Sequence, residues 1–246
     1  MTDYRKMKYS AVLSLIILFS LTLNQTAYAQ EFDAGINLQV ISPQNEFQES
    51  INTTGVGINV FGLYRFPDSP FGLGLDFNFN NFGEDTREEP ISSTIPDLRV
   101  RVENRYNMVQ GLMVAKVQPQ DGVLRPYAEG LAGFNYFYTQ TSIENRGFQN
   151  DEPIATDTNF DDWAFAWGGG GGLMIRVFDR RGSGNITQEN PISAGYINIG
   201  LRYLNGSEAE YLREGSISVS NGNVTYDTLQ SRTDMLVFQL GFIIRI

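Results

Sequence analysis

The alternation at the end of the chain, in residues 232–246, constrains the fold more than any other feature. A period of two is the side-chain repeat of a β-strand, and a tilted strand of roughly 9 to 11 residues can cross a bilayer. Because unpaired backbone groups in hydrocarbon cost several kcal/mol each, strands cross a membrane only in a closed barrel. The segment therefore predicts the last strand of a transmembrane β-barrel, paired with the first strand. Its apolar face consists of Leu236, Phe238, Leu240, Phe242, Ile244 and Ile246.

Seven earlier segments alternate in the same way, which gives eight candidate strands. In the third of them, Phe71, Leu73 and Leu75 alternate with glycine and Asp76. In the fourth, the apolar residues change parity near Tyr106, which predicts a β-bulge there. The predicted fold class is all-β, an eight-stranded antiparallel up-and-down transmembrane β-barrel. The predicted strands are residues 32–41, 54–66, 71–80, 98–117, 125–139, 163–177, 193–204 and 232–246.

The connections favour a membrane barrel over a soluble β-sandwich, which would show the same alternation along each strand. Long polar connections alternate with short ones that have the Pro, Asp and Gly residues of tight turns. Outer-membrane barrels have this asymmetry, with short periplasmic turns and long outer loops. Residues 178–192 are the exception, since they are long where a short turn is expected. The long connections are 42–53, 83–97, 140–162 and 205–230, and the short ones are 67–70 and 118–123.

The start of the chain predicts a secretory signal peptide, residues 1–29, followed by a barrel domain, residues 30–246. Arg5, Lys6 and Lys8 precede an apolar run, and Ala27 to Ala29 supplies the small-x-small pattern for cleavage after Ala29. The alternative is a transmembrane anchor, but the run is shorter than the ~20 residues that a spanning helix needs. Because no second apolar stretch of that length follows, a helical membrane protein is excluded.

Composition excludes several function classes. The net charge of -10 argues against a nucleic-acid partner. The chain contains no Cys and no His. It can therefore form no disulfide and no thiolate or histidine metal site, and it lacks histidine, the most common general base in enzymes. We therefore predict no cofactor, no metal site and no catalytic residue.

A candidate functional site is a cluster of charged side chains inside the predicted barrel. Each strand that runs toward the short turns ends with a basic residue among apolar ones. The alternation of these strands turns Arg65, Arg176 and Arg245 inward. The predicted bulge would bring Lys116 to the same side. One interpretation is a packed lumen in which these cations pair with inward carboxylates; the other is a charged constriction in a narrow pore. We also expect an ion pair between Asp33 and Arg245 at the closing seam. The predicted lumenal charge cluster is Asp33, Arg65, Asp76, Lys116, Glu129, Arg176 and Arg245.

Two other motifs are weaker candidates. The five glycines at 168–172 lack the Lys and Ser or Thr of a phosphate loop, so close packing or barrel curvature is the better interpretation. Asp157, Asn159 and Asp161 match the first ligand positions of a calcium loop, but Asp162 stands where such a loop requires Gly. We interpret residues 157–161 as a solvated acidic loop.

Taken together, the chain after Ala29 resembles the small OmpA/OmpX-like outer-membrane barrels of Gram-negative bacteria. The resemblance is carried by the signal peptide, the Arg125-Pro-Tyr-Ala-Glu-Gly-Leu-Ala-Gly133 strand opening, the alternating strands and the last strand. It implies a location in the outer membrane, contact with its lipid and lipopolysaccharide, and insertion by the outer-membrane assembly machinery. No further domain is expected after the eighth strand.

Four function classes remain open. The first is a non-enzymatic barrel with a structural or surface-interaction role and a largely filled lumen. The second, which is the alternative to it, is a narrow porin-like pore for ions or small solutes. The third is a barrel enzyme, but the known barrel enzymes of the outer membrane use a His beside Ser and an acid, so their catalytic pattern has no counterpart in this sequence. A soluble lipocalin-like carrier is disfavoured by the apolar outer faces and by aromatic residues near strand ends, Tyr136, Tyr138, Trp163, Phe165 and Trp167. The sequence names no extracellular ligand.

Overall fold

Eight strands close into an antiparallel barrel, which confirms the predicted fold class. The computed structural model describes residues 31–51, 53–92, 95–145, 155–180, 191–212, 218–220, 223–225 and 228–246. The predicted signal peptide, its cleavage site and most of the 178–192 connection lie outside these residues. The barrel strands are β1 (Glu31–Pro43), β2 (Gly55–Arg65), β3 (Phe71–Ser92), β4 (Ile95–Val117), β5 (Leu124–Asn145), β6 (Ala155–Asp179), β7 (Ala194–Gly206) and β12 (Met235–Arg245). Around the barrel their order is β1-β12-β7-β6-β5-β4-β3-β2.

The seam between the first and last strands has a continuous register. It runs from Asp33 opposite Arg245 to Pro43 opposite Met235, as the alternation of residues 232–246 predicts. Tight turns join β2 to β3 and β4 to β5, with Asp68 at φ 54° and Gly122 at φ 120°. We call this end of the barrel the short-turn end and the opposite end the long-connection end.

The barrel is apolar outside and polar inside, the reverse of a soluble ligand-binding barrel. Outward side chains such as Leu38, Leu75 and Phe77 are at least half exposed, whereas the inward Asn37, Asp76 and many like them are buried. An apolar surface that surrounds the molecule is stable only if something other than water covers it. This arrangement is that of a barrel whose outer wall faces lipid, and it rules out the lipocalin-like alternative.

Two of the predicted long connections are wrong, because four neighbouring strands continue where we expected loops. Strands β3 and β4 extend through most of 83–97, and β5 and β6 extend into 140–162. The extension of β3 starts after Asn81, the last residue paired with β2, and its roughly 10 residues span about 35 Å. In this extension Glu84 lies opposite Arg105, and their side chains form an ion pair at 3.5 Å across the two strands.

The other two long connections also contain regular structure. Within 42–53 lies a short helix, α1 (Asn45–Ser50). Within 205–230 lie two small antiparallel pairs, one of β8 (Glu208–Leu212) with β11 (Thr228–Arg232) and one of β9 (Ser218–Ser220) with β10 (Asn223–Thr225). Neither was predicted, because each is too short to show a periodic pattern. No helix within the described residues is long and apolar enough to cross a membrane.

The predicted β-bulge is on the wrong strand. The register shift lies between Asn81 and Glu84 of β3, where Gly83 has φ 107°, whereas β4 pairs with β5 without interruption from Val100 to Val117. The prediction of an acidic loop at residues 157–161 is also wrong, since this segment belongs to β6.

Candidate functional site in the barrel lumen

Four charged side chains meet in the middle of the lumen and form what we call the central charge network. Arg202 donates through Nε to Glu129 Oε1 at 2.6 Å and through Nη2 to Asp76 Oδ2 at 2.9 Å. Lys116 Nζ lies 3.4 Å from Glu129 Oε2 and 4.1 Å from the centre of the Tyr127 ring. All four side chains are at most 4% exposed. Two cations and two carboxylates therefore neutralise each other away from water.

Asparagine side chains connect this network across the barrel. Asn198 donates to Asn37 at 2.8 Å, Asn37 to Asn59 at 2.6 Å, and Asn59 to Asp76 at 2.8 Å. Since Asn198 and Arg202 both lie on β7, the hydrogen bonds close a ring. With Lys116 and Glu129, the connected side chains come from β1, β2, β3, β4, β5 and β7. The lumen at this level is bridged by hydrogen bonds from wall to wall.

The glycine run of β6 provides the space that this network occupies. A Cβ atom at Gly170 would lie 2.8 Å from Cγ of Arg202, and one at Gly172 would lie 2.6 Å from the Tyr127 ring. Gly200 of the neighbouring strand has the same role, since a Cβ there would lie 2.5 Å from the Tyr127 hydroxyl. The close-packing interpretation of residues 168–172 therefore has a structural basis, because glycine on β6 leaves room for the large side chains of the two strands that pair with it, β5 and β7.

A second cluster lies at the short-turn end, where Asp33 and Arg245 form what we call the seam pair. Arg245 donates through Nε to Oδ1 at 2.7 Å and through Nη2 to Oδ2 of Asp33 at 3.0 Å, a bidentate geometry. Gln118 Nε2 also donates to Asp33, at 3.2 Å. The guanidinium groups of Arg125 and Arg245 lie 4.8 and 5.1 Å from the centre of the Tyr196 ring. The ion pair expected from the sequence is present and fully buried.

Of the two remaining predicted residues, Arg65 is joined to the seam pair through Glu31, which lies 3.9 Å from Arg245, and Arg176 lies apart. Arg65 is buried and forms an ion pair with Glu31. Arg176 pairs with Asp179 at 2.6 Å, and its side chain is 23% exposed, so its ion pair lies at the rim and outside the central charge network. Sequence reasoning missed Arg202, the residue that joins both central carboxylates, and it missed Glu31. The sequence does contain a signal for Arg202: it alternates with the outward residues of its strand and therefore points inward, on a strand that pairs with the glycine run.

Above the network, at the long-connection end, an apolar cluster lies in the lumen. Phe47 of α1 is completely buried, and its ring makes edge-to-face contacts with Phe82 at 5.7 Å and Phe137 at 5.8 Å between centroids. We call these residues and their buried neighbours the mouth cluster, which comprises Ile41, Phe47, Phe82, Met108, Phe137 and Met235. The lumen is thus closed by apolar packing above and by paired charges below.

The lumen contains several buried carboxylates. Its carboxylates are engaged by cations or amides, and among the described residues no three acidic side chains are placed to hold a metal ion. Buried ion pairs of this kind cost desolvation energy, and removing one partner leaves an uncompensated buried charge.

The fold and its polar, bridged lumen define the class of closed membrane β-barrels with an apolar outer wall. The chain belongs to the outer membrane protein beta-barrel domain family, whose sequence model matches residues 11–177, more than half of the chain. The protein is therefore an outer-membrane β-barrel.

Three solved structures to which the chain is similar are distant in sequence. Neisserial surface protein A is 11% identical, with a TM-score of 0.42 over 90% of this chain and 99% of that one. A major outer membrane protein from Thermus thermophilus is 10% identical, with a TM-score of 0.47 over 89% and 100%. The attachment invasion locus protein Ail of Yersinia pestis is 13% identical, with a TM-score of 0.32 over 88% and 97%. No curated protein sequence matches the chain.

Proposed function

We propose that the protein is a non-enzymatic outer-membrane barrel that holds an extracellular surface in place and does not conduct ions or solutes. The observation that carries this proposal is the filled lumen. The central charge network and its asparagine ring connect β1, β2, β3, β4, β5 and β7 at one level. A pore requires wet charges and a continuous path, whereas these side chains are shielded from water and engaged with one another.

The surface role is supported by the one-sided extension of β3 to β6 beyond the barrel. These strands have 22, 23, 22 and 25 residues, whereas β1, β2, β7 and β12 have 13, 11, 13 and 11. A membrane span needs only about 9 to 11 residues, so the surplus length lies outside the bilayer. We infer that a rigid, filled barrel serves to hold this extended sheet upright for contact with partners.

Conductance distinguishes this function from a narrow pore. We expect the refolded barrel to give no steady conductance in planar bilayers, because the paired charges occlude the lumen. The matched variant is the double substitution Asp76→Ala and Arg202→Ala. It removes one cation and one anion, so the net charge is unchanged, and it empties the centre of the lumen. This variant should give small, resolvable current steps. Stable current steps in the unaltered protein would instead support the narrow-pore alternative.

Epitope tags test the orientation on which the surface role depends. A tag inserted near Glu88, in the extension of β3, should be recognised by antibody on intact cells, because long connections face outward. A tag near Gln120, in the turn between β4 and β5, should be recognised only after the outer membrane is permeabilised. If intact cells expose the second tag and not the first, the orientation is wrong and the extended sheet faces the periplasm.

A further inference from the structure

The short-turn end of the lumen contains more buried cations than buried anions. The side chains of Arg65, Arg125 and Arg245 lie there and are at most 3% exposed. Among the described residues, Asp33 is the one carboxylate at this end that is buried to the same degree. The central charge network, by contrast, has two cations and two carboxylates. The short-turn end therefore carries an excess of buried positive charge.

Two further carboxylates lie near these arginines, but both reach solvent. Glu31 forms an ion pair with Arg65 and lies 3.9 Å from Arg245 Nη1, and its side chain is 38% exposed. Asp121 Oδ1 lies 3.9 Å from Arg125 Nη2, and its side chain is 79% exposed. Because water screens an exposed charge much more than a buried one, these two carboxylates compensate the buried guanidinium groups only in part.

Two buried hydrogen-bond donors in this part of the lumen lack an acceptor. Arg245 donates to Asp33 through Nε and Nη2, but its Nη1 has no hydrogen-bond partner among the described residues, since 3.9 Å to Glu31 is too far. The Tyr196 hydroxyl also has no partner among them. Both side chains are completely buried. Buried donors without acceptors are rare in folded proteins, so these two indicate an acceptor that is a bound ion or water.

The Tyr196 ring lies between two guanidinium groups. Those of Arg125 and Arg245 lie 4.8 and 5.1 Å from the centre of this ring. The three side chains come from β5, β12 and β7. Two cations and one hydroxyl group from three strands are therefore within reach of a single small ligand.

The charge of this region favours an anion over water as that ligand. A water molecule would bring two hydrogens that need acceptors of their own, and Gln118 Oε1 is an unpartnered acceptor at the same end of the lumen. An anion would instead accept from both donors and also offset the excess of buried positive charge. Since the two donor side chains are completely buried, the space beside them suits an ion of one atom.

We propose that the short-turn end of the lumen binds one monovalent anion of the size of chloride, held by Arg245 Nη1 and the Tyr196 hydroxyl. Glu31, which lies beside Nη1, reaches solvent, so the rim of the barrel offers the anion a route to the site. The bound anion links the closing strand β12 to β7 next to the seam pair. The site does not depend on whether the lumen conducts.

The direct test is a crystal structure of the refolded barrel grown in sodium bromide, because bromide replaces chloride and is identified by its anomalous scattering. The expected result is one anomalous peak in contact with Arg245 Nη1 and the Tyr196 hydroxyl. A water molecule at this position, with bromide only on the outer surface of the protein, would overturn the proposal.

Urea unfolding in lipid vesicles tests the site in solution, with gluconate replacing chloride at constant ionic strength. An anion that binds only the folded barrel stabilises it, so the equilibrium constant for unfolding should fall at least about threefold between ~10 and ~300 mM chloride. Tyr196→Phe keeps the ring and removes the hydroxyl group, and it should lose most of this dependence. The matched control is Tyr127→Phe, which removes the hydroxyl group of another buried tyrosine and should retain the dependence.

The solution result decides between a site and binding at crystal concentration only. If the unaltered protein shows no chloride dependence, or if Tyr196→Phe and Tyr127→Phe show the same dependence, the proposal is wrong even when bromide is seen in the crystal. If Tyr196→Phe does not refold, as judged by heat-modifiable migration, the position of bromide and the chloride dependence of the unaltered protein must both agree with the proposal, and failure of either one overturns it.

Discussion

Arg202→Met is expected to reduce the free energy of unfolding of the refolded barrel by about 5 kcal/mol, the upper end of the range for breaking a buried ion pair. Arg202 is the only cation within hydrogen-bond distance of Asp76 among the described residues, and it shares Glu129 with Lys116. Methionine keeps most of the volume but leaves two carboxylates to one ammonium group in a site that water does not reach. Urea unfolding in lipid vesicles measures the effect, which corresponds to a midpoint shift of roughly 2 M.

Two variants show whether charge, rather than packing, causes this loss. Adding Asp76→Asn to Arg202→Met restores neutrality and should recover more than half of the lost stability. Glu84→Gln removes a carboxylate whose side chain is 57% exposed and which pairs with Arg105, itself 51% exposed; it should change stability by less than about 1 kcal/mol. Equal losses for the single and double lumenal variants would mean that packing, and not the uncompensated charge, determines the stability of this layer.

The barrel itself was predictable because a lipid-facing strand must alternate. Where one face of a strand meets hydrocarbon and the other a polar lumen, residue type follows the period of two, as in the stretch from Phe71 to Asn80. The seam register followed from the same rule: Asp33 and Arg245 stand near opposite ends of the first and last strands and share the inward parity.

The extended sheet was not predictable from the same rule, because outside the bilayer neither face meets lipid. Odd positions of β4 are charged from Arg99 to Arg105 and apolar from Val109 to Val117, yet the register with β5 continues through both parts. The change in parity that we interpreted as a bulge in β4 thus occurs within a continuous register with β5. The shift in register belongs to β3, where Gly83 tolerates the positive φ.

The central charge network was only partly predictable, because its pairing depends on barrel shear. The sequence identified Asp76, Lys116 and Glu129 as inward charges, but it assigned the pairing to basic residues at strand ends. Arg202 lies on β7, which runs away from the short-turn end, whereas the strands that end in basic residues run toward it. Arg202 reaches Asp76, which is 126 residues away in sequence, only because β7 and β3 face each other across the closed lumen. Such a contact has no local signature.

The seam pair is expected to show strong coupling in a double-mutant cycle on Asp33→Asn and Arg245→Gln. Each single change should cost about 3 kcal/mol or more, because the partner is left charged and buried, and the coupling energy should be about 2 to 3 kcal/mol. Arg245→Gln should be the more costly, since Arg245 also lies over the Tyr196 ring, whereas an asparagine at position 33 can still accept the hydrogen bond from Gln118. The measurement is the urea midpoint of the refolded barrel.

A second cycle, on Arg105→Gln and Glu84→Gln, provides the comparison for the seam. Their side chains are 51% and 57% exposed and 3.5 Å apart, so their coupling should be below about 1 kcal/mol. A strongly coupled seam pair beside a weakly coupled exposed pair would show that burial makes the ion pair at the closing strands important. If the two seam substitutions are additive, then Asp33 and Arg245 do not interact in the folded barrel, and closure depends on backbone pairing between β1 and β12 and on the apolar outer face.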